Sequence, residues 1–360
     1  MSHAKKEMLS FFVTTKCNLD CEYCYTNKKK HGHQSIPLKF AKLGIDSYLE
    51  KGGKRHLRFF GAGEPTVEFN LLRDIHDYAA NKRDSGLSFE IQTNGVFSEE
   101  VRSWLSGNVD IIWISMDGPP DIQDTYRKTV KKEPTSQTIE ENVKYLIRNG
   151  KGITGIRVTI TSLNINRQAE MIEYFSALGV KHIWSDPIFP SVGEDNALEE
   201  IDTMEYAKNF LDCQDLARRL GVFYGSILTC NFDEKTHYNC RACLPVPHLT
   251  TDGYVSACDM ALFGSKPNHM SVFIYGVWNR EKNQIIYDED KIEILRSRRT
   301  ENMELCRDCE AKYNCAGYCL GEVVNETKSL FGQKTKVCEP IRFLHRNMAI
   351  NKGRYEFLHP

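Results

Sequence analysis

The chain of 360 residues lacks the features that place a protein in a membrane or on a nucleic acid. No apolar run approaches the about 18 residues that a transmembrane helix needs. The start, MSHAKKEMLS, contains no apolar stretch of signal-peptide length. Neither charge is in excess, because 47 basic side chains balance 48 acidic ones. We therefore expect a cytoplasmic protein with no membrane partner and no nucleic-acid partner, since phosphate binding requires an excess of positive charge.

Cysteine is absent from residue 25 to residue 212, although the chain contains 13 cysteines in all. Three stand near the start and eight lie between residues 240 and 338, while Cys213 and Cys230 stand alone. An odd number fits poorly with a fully paired disulfide framework, and a chain of this length does not need one. In a reducing cytosol, clustered cysteines indicate metal ligands or catalytic thiols.

The cysteine-free part alternates short β-branched runs with amphipathic stretches. The predicted strands are Leu9–Thr14, His56–Phe60, Ser88–Thr93, Asp110–Met116, Gly155–Ile160 and His182–Pro187. The predicted helices are Leu38–Lys51, Asn70–Arg83, Glu99–Ser106, Ser136–Asn149 and Asn166–Leu178. Strands that alternate with helices form parallel βα units, in an open doubly wound sheet or a partial barrel. In both architectures ligands bind at the C-terminal ends of the strands.

Short strands and loops rich in Gly, Pro and Cys make up the last third of the chain. The predicted elements here are the strands Leu249–Thr251, Tyr254–Ala257 and Val272–Val277 and the helices Glu289–Ser297 and Ile341–Asn351. Such a segment buries little apolar surface, so we expect bound metal to help order it. We predict one domain over residues 1–220, a second over residues 221–345 and a tail over residues 346–360.

The first cysteine group directly follows the first predicted strand. Cys17, Cys21 and Cys24 have the spacing C-x3-C-x2-C and precede Tyr25. Three closely spaced thiolates can bind three irons of an iron–sulfur cube and leave the fourth iron open. A metal with an open position serves catalysis rather than structure. A three-thiolate zinc site is the alternative interpretation.

This motif resembles that of the radical S-adenosylmethionine (SAM) superfamily. The resemblance implies an α/β fold with a partial (βα)6 TIM barrel, and it implies a [4Fe-4S] cluster and SAM as cofactors. In that family an electron from the cluster cleaves SAM and releases a 5′-deoxyadenosyl radical. The segment Gly61-Ala62-Gly63-Glu64-Pro65 is similar to the family's Gly-Gly-Glu-Pro motif, with Ala62 in place of the first glycine.

By the same resemblance, residues near successive strand ends would contact SAM. These candidates are Tyr25, Gly61, Gly63, Glu64, Asn94, Ser115 and Arg157. The glycine–glutamate motif would bind the amino group, Asn94 the ribose or carboxylate, and Arg157 the carboxylate, for which a guanidinium fork is suited. Simpler interpretations also exist: Glu64-Pro65 as a helix-entry turn, Asn94-Gly95 as a turn pair, Ser115 as a small core residue and Arg157 as a surface ion pair.

The later cysteines resemble the SPASM extension, which carries two auxiliary [4Fe-4S] clusters. Their pattern is Cys243-x9-Gly253-x4-Cys258 followed by Cys306-x2-Cys309-x5-Cys315-x3-Cys319-x18-Cys338. The resemblance assigns one cluster to Cys240, Cys243, Cys258 and Cys319. It assigns the other to Cys306, Cys309, Cys315 and Cys338, which makes three [4Fe-4S] clusters in the chain. Two zinc sites are the alternative, Cys230 could replace Cys240, and Cys213 is expected to be a buried apolar side chain.

Asp259 directly follows Cys258 and is the candidate catalytic base. In the anaerobic sulfatase-maturing enzymes, which this chain resembles, an aspartate at the matching place is the proposed proton acceptor; a turn-capping aspartate is the alternative. The resemblance implies hydrogen abstraction from a peptide or protein side chain, giving an oxidised or crosslinked residue, with flavodoxin or ferredoxin as electron donor. The alternatives are radical oxidation or epimerisation of a small metabolite and a non-catalytic zinc scaffold.

Two features near the start bear on the partner. Only 16 residues precede Cys17, so we expect the substrate to bind directly in the barrel or to be presented by a separate protein. The basic run Lys28–Lys30, with His31 and His33, could contact an acidic peptide. A solvated loop is the more common role of such a run.

Overall fold

The computed structural model describes residues 7–26, 32–52, 56–82, 86–192 and 198–348. The basic run Lys28–Lys30 with His31, and the tail beyond residue 348, lie outside these ranges. Within the described ranges, no helix combines the length and the apolar character that crossing a membrane requires.

The strands of the described chain form one sheet of eleven members. In chain order they are β1 (Leu9–Phe12), β2 (His56–Phe60), β3 (Ser88–Thr93), β4 (Ile111–Ser115), β5 (Ile153–Ile160), β6 (His182–Pro187), β7 (Phe223–Gly225), β8 (His248–Leu249), β9 (Tyr254–Ser256), β10 (Ile274–Asn279) and β11 (Gln284–Tyr287). Strands β1 to β7 lie side by side in chain order, and each neighbouring pair is parallel. The order of these strands never reverses, which distinguishes the sheet from a doubly wound one. Because β7 and β11 are its two edges, the sheet is an unclosed, partial barrel.

Helices connect the parallel strands, and further helices occur in the last third of the chain. They are α1 (Leu38–Glu50), α2 (Phe69–Ala80), α3 (Glu99–Asn108), α4 (Pro120–Tyr126), α5 (Ser136–Asn149), α6 (Gln168–Ala177), α7 (Thr203–Asp212), α8 (Gln214–Arg219), α9 (Glu289–Arg296), α10 (Lys312–Cys315), α11 (Leu320–Thr327) and α12 (Cys338–Asn347). Local sequence sets several starts, since Ser98 accepts a hydrogen bond from the Val101 amide and Asp202 accepts from the Met204 amide. Such caps satisfy amides that have no partner within the helix.

The last third of the chain adds its strands to the barrel sheet. Strand β8 pairs in parallel with β1, and β9, β10 and β11 continue the sheet in antiparallel order. The register places His248 opposite Ser10. One large apolar cluster extends from Phe11 in β1 to Leu344 in α12, and α12 packs on α7, as the predicted terminal helix should. The cysteine-rich segment is therefore joined to the same core as the barrel.

The six strands predicted for the first part are all present, with bounds that agree within two residues. The prediction omitted β7 and β11. Strand β7 has three residues and β11 alternates exposed with half-buried residues at the sheet edge, so neither produces a strong apolar pattern. No bounds were predicted for the helices α4, α7, α8, α10 and α11, four of which have eight residues or fewer.

Candidate active site

A cavity of about 320 Å³ lies at the C-terminal ends of the parallel strands. Its wall contains all seven predicted cofactor-binding residues, which are Tyr25, Gly61, Gly63, Glu64, Asn94, Ser115 and Arg157. It also contains Asp259 and six of the predicted metal ligands, which are Cys17, Cys21, Cys24, Cys240, Cys258 and Cys319. The other predicted ligands, which are Cys243, Cys306, Cys309, Cys315 and Cys338, lie outside this wall. The tertiary structure thus brings two distant cysteine groups of the sequence into one cavity.

The loop after β1 carries the three N-terminal thiols. Cys17 Sγ is 3.5 Å from the Leu19 amide nitrogen and 3.7 Å from Asn94 Nδ2. Cys24 Sγ is 3.2 Å from the Thr26 hydroxyl group. Polar groups at these distances can orient thiolates and tune a metal group that they bind.

Tyr23 anchors this loop from inside the protein. Its hydroxyl group donates a hydrogen bond to Asp117 and accepts one from Arg127 Nη1 at 2.7 Å. Asp117 Oδ1 also accepts from the Thr159 amide in β5 at 3.0 Å. Burial raises the pKa of Tyr23 well above its usual value, and the charge of Asp117 adds to the rise, so the hydroxyl group remains a donor. The sequence did not reveal this anchor, because its members are about a hundred residues apart.

Glu64 follows β2, and donors of the protein occupy both of its carboxylate oxygens. Oε1 accepts hydrogen bonds from the Thr66 amide at 3.0 Å, the Thr66 hydroxyl at 2.7 Å and the Thr93 hydroxyl at 2.7 Å. Oε2 accepts from the Asn94 amide at 2.6 Å. The Glu64 side chain therefore braces β2 against the end of β3, and it also caps the turn at Pro65. The backbone of residues 61–63 is the part of the motif that is left to face a ligand.

Close approach of two backbone segments requires glycine at residue 63. A Cβ atom on Gly63 would lie 2.0 Å from the carbonyl oxygen of Lys16. The Glu64 amide donates to that same carbonyl at 2.7 Å and holds the motif against the cysteine loop. Ala62 differs, because its side chain packs in a small apolar cluster. The alanine that replaces the family's glycine therefore leaves this contact undisturbed.

We expect Gly63→Ala to destabilise the protein by about 1–3 kcal/mol, because the new methyl group overlaps a backbone oxygen that cannot move without displacing the cysteine loop. Ala62→Gly is the matched control and should cost less than about 1 kcal/mol. Thermal or denaturant unfolding of both variants measures the difference. Equal stability of Gly63→Ala and the parent protein would contradict the close approach.

Asn94 joins the end of β3 to the cysteine loop. Its Nδ2 donates to Asn18 Oδ1 at 2.7 Å, and its Oδ1 accepts from the Val96 amide at 2.8 Å. Gly95 has a φ of +80°, so the simpler interpretation of Asn94-Gly95 as a turn also holds. Asn94 thus belongs both to this turn and to the cavity wall.

Arg157 connects three strands of the cavity wall. Its Nη1 donates to Gln92 Oε1 at 3.2 Å and its Nη2 to Asp186 Oδ2 at 2.8 Å. Ser115 pairs with Arg157 across β4 and β5. The expected ion pair exists, but it lies in the cavity rather than on the outer surface. Asp186, at the end of β6, was missed from the sequence, although a carboxylate at a strand end was a usable signal.

Tyr25 lies between the two cysteine groups of the cavity. Burial raises its pKa well above the usual value, and the charges of Asp259, Cys24 and Cys258 raise it further. Cys24 belongs to the N-terminal loop, while Cys258 and Asp259 belong to the last third of the chain, so Tyr25 lies where these two parts meet in the cavity wall.

The first group of later cysteines interacts around Cys240. A hydrogen bond with Cys240 raises the pKa of the Cys243 thiol, and burial adds to the rise. Burial together with the charge of Cys240 raises the pKa of Cys258 and of Cys319. These are the four cysteines that the resemblance assigned to one cluster.

The second group lies around Cys306. Burial and the charges of Cys309 and Cys338 raise the pKa of the Cys306 thiol. Burial raises the pKa of Cys315 to about 12, and Cys306 and Cys338 contribute. Among the residues that the structure describes, no group of three or more His, Cys, Asp or Glu side chains is arranged around one metal ion. The four cysteines of an iron–sulfur cube bind four separate irons, and both cluster assignments stay predictions.

Two cysteines stand apart from these groups. Cys213 is buried between α7 and α8, and burial raises its pKa to about 11, as a thiol in apolar surroundings should show. Cys230 also lines the cavity, but it packs with Ile111, Trp113 and Trp184. Cys240 interacts with three other thiols of its predicted group, and the choice between Cys240 and Cys230 as the fourth ligand stays a prediction.

Asp259 is surrounded by basic side chains. Its Oδ1 contacts Arg58 Nη2 and lies 3.1 Å from His248 Nε2, while Arg241 Nη2 is 3.9 Å from Oδ2. Burial alone would raise the pKa of Asp259, but the charges of Arg58 and His248 outweigh it and hold the pKa well below the usual range. The carboxylate thus pairs with side chains of other elements, which does not match the turn-capping interpretation.

His248 has a defined hydrogen-bonding state beside Asp259. Its Nδ1 lies 2.8 Å from the Val246 carbonyl oxygen, so Nδ1 carries the hydrogen, because a carbonyl only accepts. Burial lowers the pKa of His248, while the charge of Asp259 and its hydrogen bond with the ring oppose that shift. An ionised carboxylate only accepts, so the 3.1 Å contact between Nε2 and Asp259 Oδ1 is a hydrogen bond when a proton lies between the two atoms. A proton that arrives between these two atoms can be shared by both.

Comparison with known sequences finds relatives of the first half of the chain. The sequence model of the radical SAM superfamily matches residues 11–175. An uncharacterized protein of Methanocaldococcus jannaschii is 32% identical over 184 residues, covering 51% of this chain and 63% of that protein. The tungsten-containing aldehyde ferredoxin oxidoreductase cofactor-modifying protein of Pyrococcus furiosus is 28% identical over 190 residues, covering 51% of each chain. The chain therefore spans half to two thirds of the length of these two relatives.

Other relatives match a larger part of the chain. A serine-type anaerobic sulfatase-maturating enzyme of Bacteroides thetaiotaomicron is 22% identical over 353 residues, covering 85% of this chain and 80% of that enzyme. The solved structure of native anSMEcpe with bound AdoMet and Cp18Cys peptide has a TM-score of 0.70 at 18% identity, covering 94% of this chain and 96% of that one. Streptococcus suis SuiB bound to precursor peptide SuiA has a TM-score of 0.65 at 16% identity, covering 93% and 76%.

At these identities the two solved structures show a shared fold. The relationship in sequence rests on the superfamily match, which covers β2 to β5, and the ends of these strands line the cavity. Residues 11–175 therefore match a radical SAM domain, and over this part the chain is similar to the radical SAM superfamily.

Proposed function

We propose that this protein is a radical SAM enzyme with a SPASM extension, and that it abstracts hydrogen from a peptide or protein side chain. The observation that carries the proposal is the cavity whose wall combines the N-terminal thiols, the strand-end residues, three later thiols and Asp259. Such a cavity can hold a cofactor, a substrate carbon and an electron acceptor in one space. We assign the barrel to residues 1–220, the SPASM domain to residues 221–345 and a tail to residues 346–360.

The N-terminal thiols would hold a [4Fe-4S] cluster with one open iron, and the structure places polar groups beside them in keeping with that role. When bound there, SAM and the cluster supply the 5′-deoxyadenosyl radical. The backbone of residues 61–63 would accept from the amino group of SAM, and Asn94 and Ser115 would face the rest of the cofactor. Arg157 uses two of its donors on Gln92 and Asp186, and a guanidinium has others for a carboxylate.

The later thiols would hold two auxiliary [4Fe-4S] clusters. The first ligand set would be Cys240, Cys243, Cys258 and Cys319, and the second Cys306, Cys309, Cys315 and Cys338. The pKa values of Cys243, Cys258 and Cys319 are raised by burial and by neighbouring thiols, so in the absence of metal these thiols keep their protons. Metal binding would release those protons, and assembly should therefore be favoured by higher pH.

Asp259 would accept the proton that the substrate loses after hydrogen abstraction. Its low pKa keeps the carboxylate ionised at neutral pH, ready to accept. Loss of a proton makes a substrate radical a stronger reductant, and the neighbouring Cys258 belongs to a ligand set that would hold the electron acceptor. His248 Nε2 would share the proton with Asp259 Oδ1 and so offset the weak basicity of a carboxylate that is paired with Arg58.

A peptide or protein substrate has support from the relatives. The Bacteroides relative is named a sulfatase-maturating enzyme, and the two solved structures contain a bound Cp18Cys peptide and the precursor peptide SuiA. The Pyrococcus relative is named for modifying a cofactor, which supports a small-molecule substrate as the second candidate. The electron donor would be flavodoxin or ferredoxin.

The proposal is tested with anaerobically reconstituted protein. We expect about twelve irons per chain and formation of 5′-deoxyadenosine from SAM when dithionite or reduced flavodoxin supplies electrons. Synthetic peptides that contain Cys, Ser or Thr, compared with a sugar alcohol, identify the substrate class by mass spectrometry of the products. A colourless protein with about one to three zinc ions would instead support the scaffold interpretation.

A further inference from the structure

Arg298 is a buried cation that the proposed chemistry does not use. It follows α9 and has only 3% of its surface exposed. Its Nη2 donates to the carbonyl oxygens of Gly317 and Gly332, at 3.5 and 3.2 Å. Its Nε and Nη1 are buried without a hydrogen-bond partner, and no carboxylate of the described chain forms a salt bridge with it. A buried charge without a counter-charge is strongly unfavourable, so this guanidinium needs a negative group.

The position of Arg298 identifies where that negative group would be. Gly317 lies between Cys315 of the second thiol group and Cys319 of the first. A Cβ atom on Gly317 would lie 3.2 Å from Arg298 Nη1, so the guanidinium is close against this connecting segment.

The second carbonyl partner of Arg298, that of Gly332, lies near the second thiol group. Gly332 precedes Gln333, whose Nε2 is 3.3 Å from Cys338 Sγ and 3.9 Å from Cys306 Sγ. Burial lowers the pKa of Arg298, while the charges of Cys243, Cys306, Cys240 and Cys315 oppose that shift. The guanidinium therefore lies between the two thiol groups and interacts with both.

We propose that Arg298 is the shared counter-charge of the two auxiliary clusters, a positioning residue whose free N–H groups face them and whose charge raises the reduction potential of both. The inference rests on the proposed cluster assignments. A [4Fe-4S] cluster with four thiolates carries about two negative charges when oxidised, and one-electron reduction adds a third. A nearby fixed positive charge stabilises the reduced form more than the oxidised form, because the attraction grows with the negative charge.

The test uses the full chain in which Cys17, Cys21 and Cys24 are replaced by alanine, so that the N-terminal cluster contributes no signal. Arg298→Gln and Arg298→Lys are introduced on this background, and the clusters are titrated anaerobically with dithionite while EPR and visible spectra are recorded. Arg299→Gln is the matched control, because Arg299 is adjacent, half-exposed and paired with Glu301 at 2.7 Å. Iron content and circular dichroism are measured for every variant.

With about eight irons retained, we expect Arg298→Gln to shift both auxiliary potentials to more negative values. The expected change is about tenfold in the one-electron equilibrium, which corresponds to about 59 mV. Arg298→Lys keeps the positive charge and should hold both potentials close to those of the parent protein. Arg299→Gln should leave both potentials unchanged. Unchanged potentials in Arg298→Gln at full iron content would overturn the inference.

Loss of auxiliary iron from the variants also tests the inference. If Arg298→Gln folds but loses auxiliary iron while Arg298→Lys keeps it, the positive charge is required between the clusters, which supports the inference. If both variants lose iron equally, the shape of the side chain matters rather than its charge, and the inference fails. If the parent background itself contains no auxiliary iron, the proposed cluster assignment fails instead, which separates the two outcomes.

Discussion

Replacing Cys17, Cys21 and Cys24 together by alanine is expected to abolish the formation of 5′-deoxyadenosine from SAM. The three thiols stand on one loop and line the cavity beside the residues proposed to hold SAM. Groups that act as a unit lose nearly all function when any is removed, and we expect a loss of at least about 10³-fold. Product analysis by liquid chromatography under anaerobic conditions measures it.

The iron content of the triple variant shows whether only the N-terminal cluster is lost. The triple variant should retain about eight of about twelve irons, because the later thiols are untouched. Cys213→Ala is the matched control, since that thiol is buried outside the cavity, and it should keep both the iron and SAM cleavage. Persistent 5′-deoxyadenosine formation in the triple variant would refute the assignment of the N-terminal cluster.

Replacing Asp259 by asparagine is expected to separate SAM cleavage from product formation. The amide keeps the size of the side chain but cannot accept a proton, so 5′-deoxyadenosine should still form while modified product falls by about 10²–10⁴-fold, the usual contribution of a general base. The structure adds that the carboxylate is paired with Arg58 and faces His248 Nε2 at 3.1 Å. His248→Gln should reduce product formation less, because Asp259 would still be present to accept the proton.

Asp252→Asn is the matched control for this prediction. Asp252 caps a turn of the same segment, and its Oδ2 accepts from the Gly264 amide at 3.0 Å and the Ser265 amide at 2.8 Å. Its replacement should cost stability and leave the ratio of product to 5′-deoxyadenosine unchanged. If Asp259→Asn behaves in the same way, with normal turnover, Asp259 has a structural role and the proposed base is wrong. Both products are measured in one reaction by mass spectrometry.

Much of the barrel could be predicted because its strands carry their own signal. Strands β2, β3 and β6 begin and end at the predicted residues, since each places apolar side chains between turn-forming residues. In β3, for example, Phe89 and Ile91 alternate with polar residues, which is the period of a strand. Strand β7 lacked the signal, because its three residues depend on pairing with β6 rather than on their own composition.

The candidate site was predictable only in part. Every strand-end residue named from the sequence lines the cavity, because the ends of parallel strands meet at one edge of the sheet. The role of Glu64 as a brace between β2 and β3 was not predictable, since its four donors come from Thr66, Thr93 and Asn94. Asp186 was missed because its partner Arg157 lies on the neighbouring strand.

The sequence by itself determined what is local: the spacing of the N-terminal thiols within eight residues, the order of the later cysteines and the turn at Glu64-Pro65. Only the tertiary structure decided what the charges face. Asp259 meets Arg58 across 201 residues of chain, and Arg298 is buried with two of its nitrogen atoms unpaired and no carboxylate partner in the described chain. The physical reason is that hydrogen bonds and charge interactions depend on distance in space, which the folded sheet sets and the spacing of residues along the chain does not.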